Sequence, residues 1–370
     1  MRIALAQARR SLGRTFPNPA VGAVVYRGDR LLGRGRTRPP GGAHAEVAAL
    51  ESARRRHGPA ALRGASLAVT LEPCCHAGRT GPCTEALLEA GIGRVFVGHL
   101  DPHVQVSGRG VARLRRAGVA VTVGVLEAEC RVQHRGFLSV CERGRPFVTL
   151  KLAGSLDGRI ATASGESRWI SGERARRAVH RLRERTDAIA VGSATALADD
   201  PALTARRGGR VVHEPVRVLV DSRLRVPPTA RLLAGHAGRT WVLCGQDASA
   251  RRRRALEAAG ARVLAVPRRG RHLELARALR ILAREGLTEL LVEGGGGLAA
   301  ALLREGLVDE IRWFVAPRLI GGDGRPALGP LGGRALARLP RLREPRVRRL
   351  GEDVEISGLV GPSPRRRAGR

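Results

Sequence analysis

The sequence is poor in lysine and in aromatic residues. Of its 66 basic side chains only Lys151 is a lysine, and the 370 residues include five phenylalanines, three tryptophans and one tyrosine. A net charge of +33 is typical of nucleic-acid-binding proteins. However, the aromatic platforms on which bases stack are missing, and the arginines are spread along the chain. We therefore interpret the charge as compositional bias, predict no specific nucleic-acid partner, and expect the basic surface to help attract phosphorylated substrates.

Long apolar segments are also missing. No uninterrupted apolar run approaches the ~20 residues of a membrane span. Residues 1–10 have the pattern of an amphipathic helix and lack the features of a secretory signal. Six cysteines are too few for a disulfide scaffold in a chain of 370 residues. These absences predict a cytoplasmic protein without a membrane partner, with thiols free to bind metal, and the length predicts two domains.

The residues that can carry chemistry are concentrated between positions 44 and 83. Glu46 lies two residues after His44. Cys74 and Cys83 follow after a gap of helix length, and each comes directly after a proline. One imidazole and two thiols can bind zinc and leave the fourth tetrahedral position open, as catalytic sites do. The order H-x-E and then P-C-x-x-C is the zinc deaminase signature, although eight residues separate the two thiols here. We predict His44, Cys74 and Cys83 as zinc ligands and Glu46 as the group that moves protons.

Alternatives to this interpretation concern the identity and the purpose of the ligands. A structural zinc site would need a fourth protein ligand, for which Cys75 and His76 are the nearby candidates. Cys75 could also replace Cys74, although a residue that follows proline at a strand end suits a ligand better. The start of a helix at Cys83 favours a thiolate there. The H-x-E pair makes a catalytic site the preferred prediction.

Hydrophobic periodicity predicts alternating strands and helices over most of the chain. In the first half we predict helices over residues 1–13, 45–56 and 84–90, a strand over 66–71, and a connecting helix over 127–141. A second α/β series begins with a strand over residues 147–152. The predicted domains are residues 1–144 and 145–361, followed by a basic, disordered tail over 362–370.

Several polar segments of the second half follow predicted strands. The glycines at 294–297 precede a helix and would let backbone N–H groups approach a phosphate, although a flexible turn is the alternative. Lys151 marks a position where a compact ammonium is not replaced by a guanidinium, unless it survives by chance. The stretch 151–159, at the end of the predicted strand, is polar and glycine-rich, and Asp199 and Asp200 precede a proline. Each feature alone is compatible with an ordinary loop.

Together, these motifs resemble those of known enzymes. Residues 17–24, 44–46 and 70–74 are similar to the cytidine deaminase superfamily. The run 74–83 and residues 101–110 resemble, more narrowly, the bifunctional deaminase–reductase family of riboflavin biosynthesis. The polar segments of the second half are similar to the reductase half of that family, and the resemblance extends from about residue 1 to 360. It implies a cytidine deaminase-like α/β/α sandwich followed by a dihydrofolate reductase-like α/β domain.

The resemblance also implies cofactors, substrates and site residues. The cofactors are Zn²⁺ and NADPH, the substrates are phosphoribosylaminopyrimidines, and members of the family are often homo-oligomers. The positions that correspond to NADPH contacts are Ala153, Trp169, Thr195, Asp199, Ser222, Gly295, Gly296 and Gly297. Those that correspond to substrate contacts are Ser167, Arg183, Leu203, Arg206 and Glu293, to which we add Lys151 and, for the edge of the heterocycle, Asn18. Arginines such as Arg183 and Arg206 can pair a phosphate bidentately.

The function implied is deamination of a diaminopyrimidine ribosyl phosphate followed by reduction of its ribose. Two other functions stay open from the sequence. One is a nucleic-acid deaminase of the tRNA type with an appended domain that is not a reductase, which the charge favours. The other is a non-catalytic binding protein that zinc stabilises.

Overall fold

The computed structural model describes residues 1–76, 81–235, 237–333, 335–336 and 339–361. These residues form two compact units. The first is Met1–Pro146 with Ala283–Thr288, and the second is Phe147–Leu282 with the chain from Glu289 onward. The predicted boundary between residues 144 and 145 falls close to this division, and the predicted tail lies outside the described residues. Among the described residues, none of the helices combines the length and the apolar composition that crossing a membrane requires.

The first unit is built on a five-stranded sheet with the order β2-β1-β3-β4-β5. β1 is antiparallel to β2 and β3, whereas β3, β4 and β5 run parallel, so the carboxyl ends of these three strands lie at one edge. The strands are β1 (Gly22–Arg27), β2 (Arg30–Arg36), β3 (Ser66–Val69), β4 (Arg94–Val97) and β5 (Ala120–Val123). The helices are α1 (Arg2–Arg9), α2 (Ala45–His57), α3 (Cys83–Glu89), α4 (Arg109–Arg116), α5 (Glu127–Gln133) and α6 (Arg135–Arg143), with a 3₁₀ turn at Pro59–Leu62.

Two glycines of β2 let α2 lie directly on the sheet. A Cβ added at Gly33 would be 2.3 Å from the carbonyl oxygen of Ala49, and one at Gly35 would be 2.0 Å from that of Ala45. Real side chains do not fit such gaps, so the helix backbone occupies the space that Cβ atoms would take. This close approach sets the position of the first turn of α2, which follows His44 and contains Glu46.

Two helices of the first unit differ from the predictions. α1 ends at Arg9 and not at residue 13, and beyond it Ser11 donates a hydrogen bond to the carbonyl of Thr37, 2.7 Å away. The connecting helix predicted over 127–141 is interrupted at His134, whose backbone leaves the helical region (φ −102°, ψ 15°). The side chain of His134 is buried and hydrogen-bonded, so long-range contacts override the local helical pattern.

The second unit contains a nine-stranded sheet with the order β13-β12-β11-β8-β16-β6-β17-β20-β19. The strands from β13 to β17 in that order are parallel, and β20 and β19 add an antiparallel edge. The strands are β6 (Phe147–Ser155), β7 (Arg159–Ala161), β8 (Ala188–Gly192), β9 (Ala205–Arg207), β10 (Arg210–His213), β11 (Val216–Val220), β12 (Thr240–Gly245), β13 (Arg262–Val266), β14 (Arg268–Arg269), β15 (His272–Leu273), β16 (Glu289–Glu293), β17 (Glu310–Ala316), β18 (Arg325–Pro326), β19 (Arg341–Leu350) and β20 (Asp353–Gly361). The helices are α7 (Glu173–Arg183), α8 (Ser193–Asp199), α9 (Ala250–Ala258), α10 (Leu275–Arg284) and α11 (Gly296–Arg304).

Both units are therefore mixed α/β, as predicted, but local differences occur in the second. β6 continues to Ser155, three residues beyond the predicted end at residue 152, so Ala153 lies inside a central strand and not in a loop. Lys151 falls within the predicted strand. Helix α8 and strand β19 are not predicted from the sequence. β19 carries arginines on both faces at the edge of the sheet, and without alternation of polar and apolar residues it has no strand signal.

Candidate active sites

The first unit brings together the three predicted zinc ligands. The ligand atoms of His44, Cys74 and Cys83 all lie within 4.8 Å of one another. His44 Nδ1 is 3.3 Å from the sulfur of Cys83 and 3.6 Å from that of Cys74. His44 precedes α2, Cys74 follows β3, and Cys83 is the first residue of α3. One nitrogen and two sulfur donors from three separate elements fit Zn²⁺ and leave a position for water or substrate, as in catalytic zinc sites.

Cys75 lies outside this group. Its sulfur is 3.8 Å from the carbonyl oxygen of Gln105, and it is not among the three residues whose ligand atoms converge. Of the two adjacent thiols, the structure therefore places Cys74 at the candidate metal centre. Among the described residues no fourth protein ligand joins the cluster, which fits an open site better than a closed structural one.

The two clustered thiols differ in acidity. The pKa of the Cys74 thiol is lowered to about 4, chiefly by its hydrogen bond with Cys83, which outweighs the effect of burial. The same hydrogen bond, together with burial, raises the pKa of the Cys83 thiol well above its usual value. The thiolate expected at Cys83 on zinc binding stays a prediction. Because the sulfurs lie so close, Cys74 takes the first negative charge.

Glu46 is a buried carboxylic acid next to this cluster. It lies in the first turn of α2 and is only 4% exposed. Burial, followed by the charge of Cys74, raises the pKa of Glu46 to about 7. A carboxyl group with a pKa near neutrality can both accept and donate a proton, which is what a general acid–base group needs.

Glu72 is a site-forming residue to which the sequence analysis assigns no role. Its buried carboxylate accepts hydrogen bonds from the backbone N–H groups of Asp101, Gly108 and Val111, at 3.1, 2.9 and 3.0 Å. It thereby fastens the segment before Cys74 to the loop and helix that follow β4. An acid directly before a Pro-Cys pair is the only local signal. Asn18, predicted to contact the heterocycle, lies in a turn before β1, where its N–H donates to the carbonyl of Thr15.

In the second unit, most of the predicted site residues line one cavity of about 930 Å³. It contains all of the predicted substrate contacts of this unit, namely Lys151, Ser167, Arg183, Leu203, Arg206 and Glu293. Four predicted NADPH contacts also line it, namely Ala153, Trp169, Thr195 and Asp199. Ser222 and the glycines from Gly295 do not, although both follow carboxyl ends of parallel strands, β11 and β16. Ligands of open α/β sheets bind at this edge.

The glycines before α11 form a cradle that fits a cofactor phosphate. Gly294 and Gly295 have positive φ angles of 89° and 66°, which side chains other than glycine rarely adopt. A Cβ at Gly296 would be 3.0 Å from the carbonyl oxygen of Pro326 and 3.1 Å from the nitrogen of Gly329. Because α11 starts at Gly296, its first N–H groups are available to an anion such as the diphosphate of a dinucleotide.

Arg183 and Glu293 form a buried ion pair at the wall of the cavity. Arg183 Nε and Nη2 donate to the two carboxylate oxygens of Glu293 at 2.6 and 2.8 Å, and Nη1 donates to the carbonyl of Thr204 at 3.0 Å. Nε and Nη2 of Arg183 are thus already hydrogen-bonded to Glu293. Only the remaining N–H groups of Arg183 can donate to a phosphate. The bidentate pairing with phosphate predicted for Arg183 is not favoured by this geometry. Arg206, whose Nε donates to the Thr204 hydroxyl, keeps more of its guanidinium available.

Lys151 lines the same cavity. The register of β6 and β16 places it directly beside Glu293, so both side chains leave the sheet on the same face. Burial lowers the pKa of the Lys151 ammonium, and the charge of Glu293 partly offsets that effect. An ammonium held in this way can donate a proton more readily than a solvated lysine.

Further cavity residues are missed by the sequence analysis. Arg176 and His180 line the cavity, and with Arg183 they follow the i, i+4, i+7 spacing of one helix face, a signal that arginine-rich α7 hides. Arg176 stacks over the exposed ring of Trp169, with 4.6 Å between its Cζ atom and the ring centroid. His180 Nδ1 accepts the backbone N–H of Arg206 at 3.1 Å.

Comparisons with known families agree with both sites. Residues 1–99 match the family described as the cytidine and deoxycytidylate deaminase zinc-binding region, and residues 146–356 match the RibD C-terminal domain. Together with the His/Cys/Cys cluster and the α/β cavity, these matches define a class: a zinc-dependent deaminase joined to an NADPH-dependent reductase in one chain.

Relatives over the full length narrow the class to one family. The chain is 40% identical to the riboflavin biosynthesis protein RibD of Escherichia coli K12, over 97% of each protein, and 38% identical to that of Bacillus amyloliquefaciens, over 97% of this chain and 95% of the relative. The structure of Acinetobacter baumannii RibD (form 1) superposes with a TM-score of 0.86 at 36% identity, covering 97% of both chains. The deaminase/reductase of Thermotoga maritima gives 0.83 at 33% identity, covering 98% of this chain and 97% of that one. The chain belongs to the RibD family.

Proposed function

We propose that this chain catalyses two successive steps of riboflavin biosynthesis. The first unit hydrolyses the 2-amino group of 2,5-diamino-6-(5-phosphoribosylamino)pyrimidin-4(3H)-one. The second unit reduces the ribose of the product, 5-amino-6-(5-phosphoribosylamino)uracil, to a ribityl chain with NADPH. The observation that carries this proposal is the presence, in one RibD-family chain, of an open three-ligand cluster beside a buried acid and of a cavity lined by the predicted substrate residues.

In the deaminase unit, each residue has a separate task. His44, Cys74 and Cys83 would hold Zn²⁺, which would supply a Lewis acid able to lower the pKa of water at the site. Glu46 takes up a proton on its carboxylate and delivers it to the departing amino group, for which a pKa of about 7 is suited. Asn18 hydrogen-bonds the edge of the pyrimidine.

In the reductase unit, the residues orient the sugar and neutralise charge. The glycine cradle, Thr195 and Asp199 would hold NADPH, which would supply hydride chemistry when bound. Arg206 and Ser167 bind the substrate phosphate, while Arg183 keeps the carboxylate of Glu293 ionised and in place. Lys151, next to Glu293, donates a hydrogen bond to a ribose oxygen.

The wider assignments belong to the same proposal. We expect phosphoribosylaminopyrimidines to be the substrates, the chain to act in the cytoplasm as a homo-oligomer, and no specific nucleic acid or membrane to be bound. A nucleic-acid deaminase or a non-catalytic zinc protein is not favoured, because neither accounts for a second half that matches the RibD C-terminal domain over residues 146–356.

A coupled assay on the zinc-replete full chain tests the proposal. The diaminopyrimidine phosphate is supplied with NADPH, and ammonia release and NADPH oxidation are followed in one sample. Glu46→Gln should reduce ammonia release by about 10²–10⁴-fold, the usual contribution of a general acid–base group. With the deaminated intermediate supplied, the same variant should oxidise NADPH at the wild-type rate. Glu51→Gln, on the same helix, is the matched control and should leave both activities unchanged.

The outcomes separate the two halves. Ammonia without NADPH oxidation would refute the reductase assignment for this substrate and retain the deaminase. If zinc-replete protein gave neither signal, both assignments would be wrong. If Glu46→Gln and Glu51→Gln reduced ammonia release equally, the proton-transfer role proposed for Glu46 would be contradicted, while the other assignments would stand.

A further inference from the structure

Two buried histidines of the first unit have no part in the chemistry described above. His99 follows β4, and His134 lies between α5 and α6; they are 1% and 2% exposed. His99 Nε2 and His134 Nδ1 are 2.9 Å apart, which is a direct hydrogen bond between two imidazoles. A neutral imidazole has one donor and one acceptor nitrogen, so such a bond requires a definite arrangement of protons.

The partners at both ends determine that arrangement. His99 Nδ1 is 2.7 Å from the carbonyl oxygen of Leu100, which can only accept, so Nδ1 carries the proton. His99 Nε2 is then the acceptor, and His134 Nδ1 must donate to it. His134 Nε2, left as an acceptor, receives the hydroxyl proton of Thr70 at 3.2 Å. The Thr70 oxygen in turn accepts the N–H of Gly22 at 3.1 Å. Every bond therefore runs in one direction, with both rings neutral and protonated on Nδ1.

The surroundings keep both rings uncharged. Burial lowers the pKa of His99, and of the charged groups that act on it Arg131 lowers the pKa further while Glu127 and Glu142 raise it. Burial, followed by the proximity of His99, lowers the pKa of His134 to about 3, and a hydrogen bond with the backbone of Ala20 offsets only part of this effect. A proton added to either ring would turn an acceptor nitrogen into a donor and break the series of hydrogen bonds.

This series joins two segments that carry residues of the deaminase site. Thr70 lies between β3 and Cys74, and its N–H also donates to the carbonyl of Gly22 at 3.0 Å. Gly22 begins β1, directly after the turn that contains Asn18. His99 also contacts the segment between β3 and Cys74 through its backbone, because its carbonyl accepts the N–H of Glu72 at 3.1 Å. The side chain of Gln133, next to His134, donates to the carbonyl of Ala20 at 3.3 Å.

We propose that His99 and His134 form an uncharged, unidirectional hydrogen-bond relay that positions the Cys74 segment and the Asn18 turn for deamination. His134 is then a positioning residue, and its task is to present one donor and one acceptor between His99 and Thr70. The interruption of the helix at His134 follows from this task. The inference rests on the proposed deaminase function, but the arrangement of protons does not.

Substitutions at His134 and Thr70 in the zinc-replete full chain test the proposal. His134→Leu removes both polar atoms and should lower kcat for ammonia release by about 10-fold or more, as misplaced site groups do. The glutamine of His134→Gln again offers a donor group and an acceptor group. This variant should retain at least about a third of the wild-type kcat. Thr70→Val, which keeps the shape, should resemble His134→Leu. NADPH oxidation of the deaminated intermediate should be unchanged in all three.

A control separates positioning from general destabilisation. Ser139→Ala removes two other hydrogen bonds of α6 without touching the relay. The buried Ser139 hydroxyl donates to the carbonyl of Arg145 and accepts from Arg143 Nη2. This variant should leave ammonia release unchanged. The proposal is overturned if His134→Leu and Thr70→Val are both as active as wild type, or if His134→Gln is as impaired as His134→Leu.

Nitrogen NMR of ¹⁵N-histidine-labelled protein tests the proton arrangement without any assay. The signals of His99 and His134, assigned from the variants, should show protonated Nδ1 and bare Nε2 in both rings. They should stay so one unit below the ordinary histidine pKa of about 6.5. An Nε2-protonated ring or an imidazolium in either position would refute the relay. If wild-type protein released no ammonia at all, the proposed function would fail, and the NMR result would still decide the relay.

Discussion

Burial decides what individual charged residues do in this chain. Most arginines face solvent, where an ion pair contributes little to stability. The pair of Arg183 and Glu293 differs, with side chains only 18% and 8% exposed. A buried charge that loses its partner is left without water or counter-charge, so the cost of breaking such a pair is much larger than the cost of losing a surface pair.

Removing one partner of this pair should destabilise the second unit strongly. We expect Glu293→Gln and Arg183→Ala each to lower its free energy of unfolding by about 3–5 kcal/mol. Urea denaturation followed by tryptophan fluorescence measures this, because the three tryptophans, Trp169, Trp241 and Trp313, all lie in the second unit.

An exposed pair on the same helix provides the control. Arg177 and Glu173 pair at 2.6 Å with side chains 54% and 69% exposed. Arg177→Ala should change the free energy of unfolding by less than about 1 kcal/mol. Similar losses in the Arg177→Ala and Arg183→Ala variants would show that burial does not distinguish the two pairs.

The pKa of His134 makes the stability of the first unit dependent on pH. The group has a pKa of about 3 when folded and about 6.5 when unfolded. Between these two pKa values only the unfolded chain binds the proton, so a falling pH favours unfolding. The contribution of neutral His134 to the free energy of unfolding is fully present above about pH 6.5. Below that pH it is lost by up to about 1.4 kcal/mol per pH unit. Hydrogen exchange of peptides from 127–143, corrected for intrinsic rates, should show protection declining from pH 7 to 5. His134→Gln should flatten this decline; an equally steep decline would contradict the assignment.

At the scale of elements, the contact between α2 and β2 sets the position of the proposed catalytic groups. His44 and Glu46 occupy the start of α2, and the position of that start depends on the missing Cβ atoms of Gly33 and Gly35. The three candidate zinc ligands come from three elements, so a shift of one element changes the geometry of the whole cluster.

Gly35→Ala should therefore impair the deaminase although residue 35 contacts neither metal nor substrate in the proposal. Its Cβ would lie 2.0 Å from Ala45 O and 2.3 Å from Ala49 N, so α2 must move. We expect a loss of about 1–3 kcal/mol in stability and a fall in ammonia release of about 100-fold, as site groups displaced by 1 Å show. Arg34→Ala, at an exposed position of the same strand, should have neither effect. Full activity of Gly35→Ala would show that α2 can shift without consequence.

At the scale of the whole molecule, two units with separate hydrophobic cores carry the two chemistries. The three candidate metal ligands all belong to the first unit, and the cavity proposed for the reductase lies within the second. The two activities should therefore respond separately to treatments that act on one site.

Removal of zinc tests this separation. Dialysis against a chelator should abolish ammonia release, and zinc alone should restore it, because the ligands lose the Lewis acid that they hold. Oxidation of NADPH with the deaminated intermediate should continue at the wild-type rate throughout. A parallel loss of both activities, reversed together by zinc, would contradict independent sites.

The sequence by itself determined the alternation of strands and helices and the three residues of the candidate metal cluster. The spacing of His44, Glu46, Cys74 and Cys83 reflects chemistry that needs those atom types, and hydrophobic periodicity reflects the local geometry of helices and strands. Motif spacing and hydrophobic periodicity are properties of short segments, so they can be recognised in the sequence without knowledge of the fold. The glycine run before α11 is of the same kind.

Only the tertiary structure decided which groups pair across the fold. The fork between Arg183 and Glu293 joins residues 110 positions apart, and the bond between His99 and His134 joins residues 35 apart. No local pattern records such contacts, because they depend on strand register and on burial. For the same reason β6 proved to extend beyond residue 152 to Ser155, and an arginine-rich segment without alternation formed the edge of the sheet. Long-range packing and desolvation, which a short window of sequence does not contain, set these features.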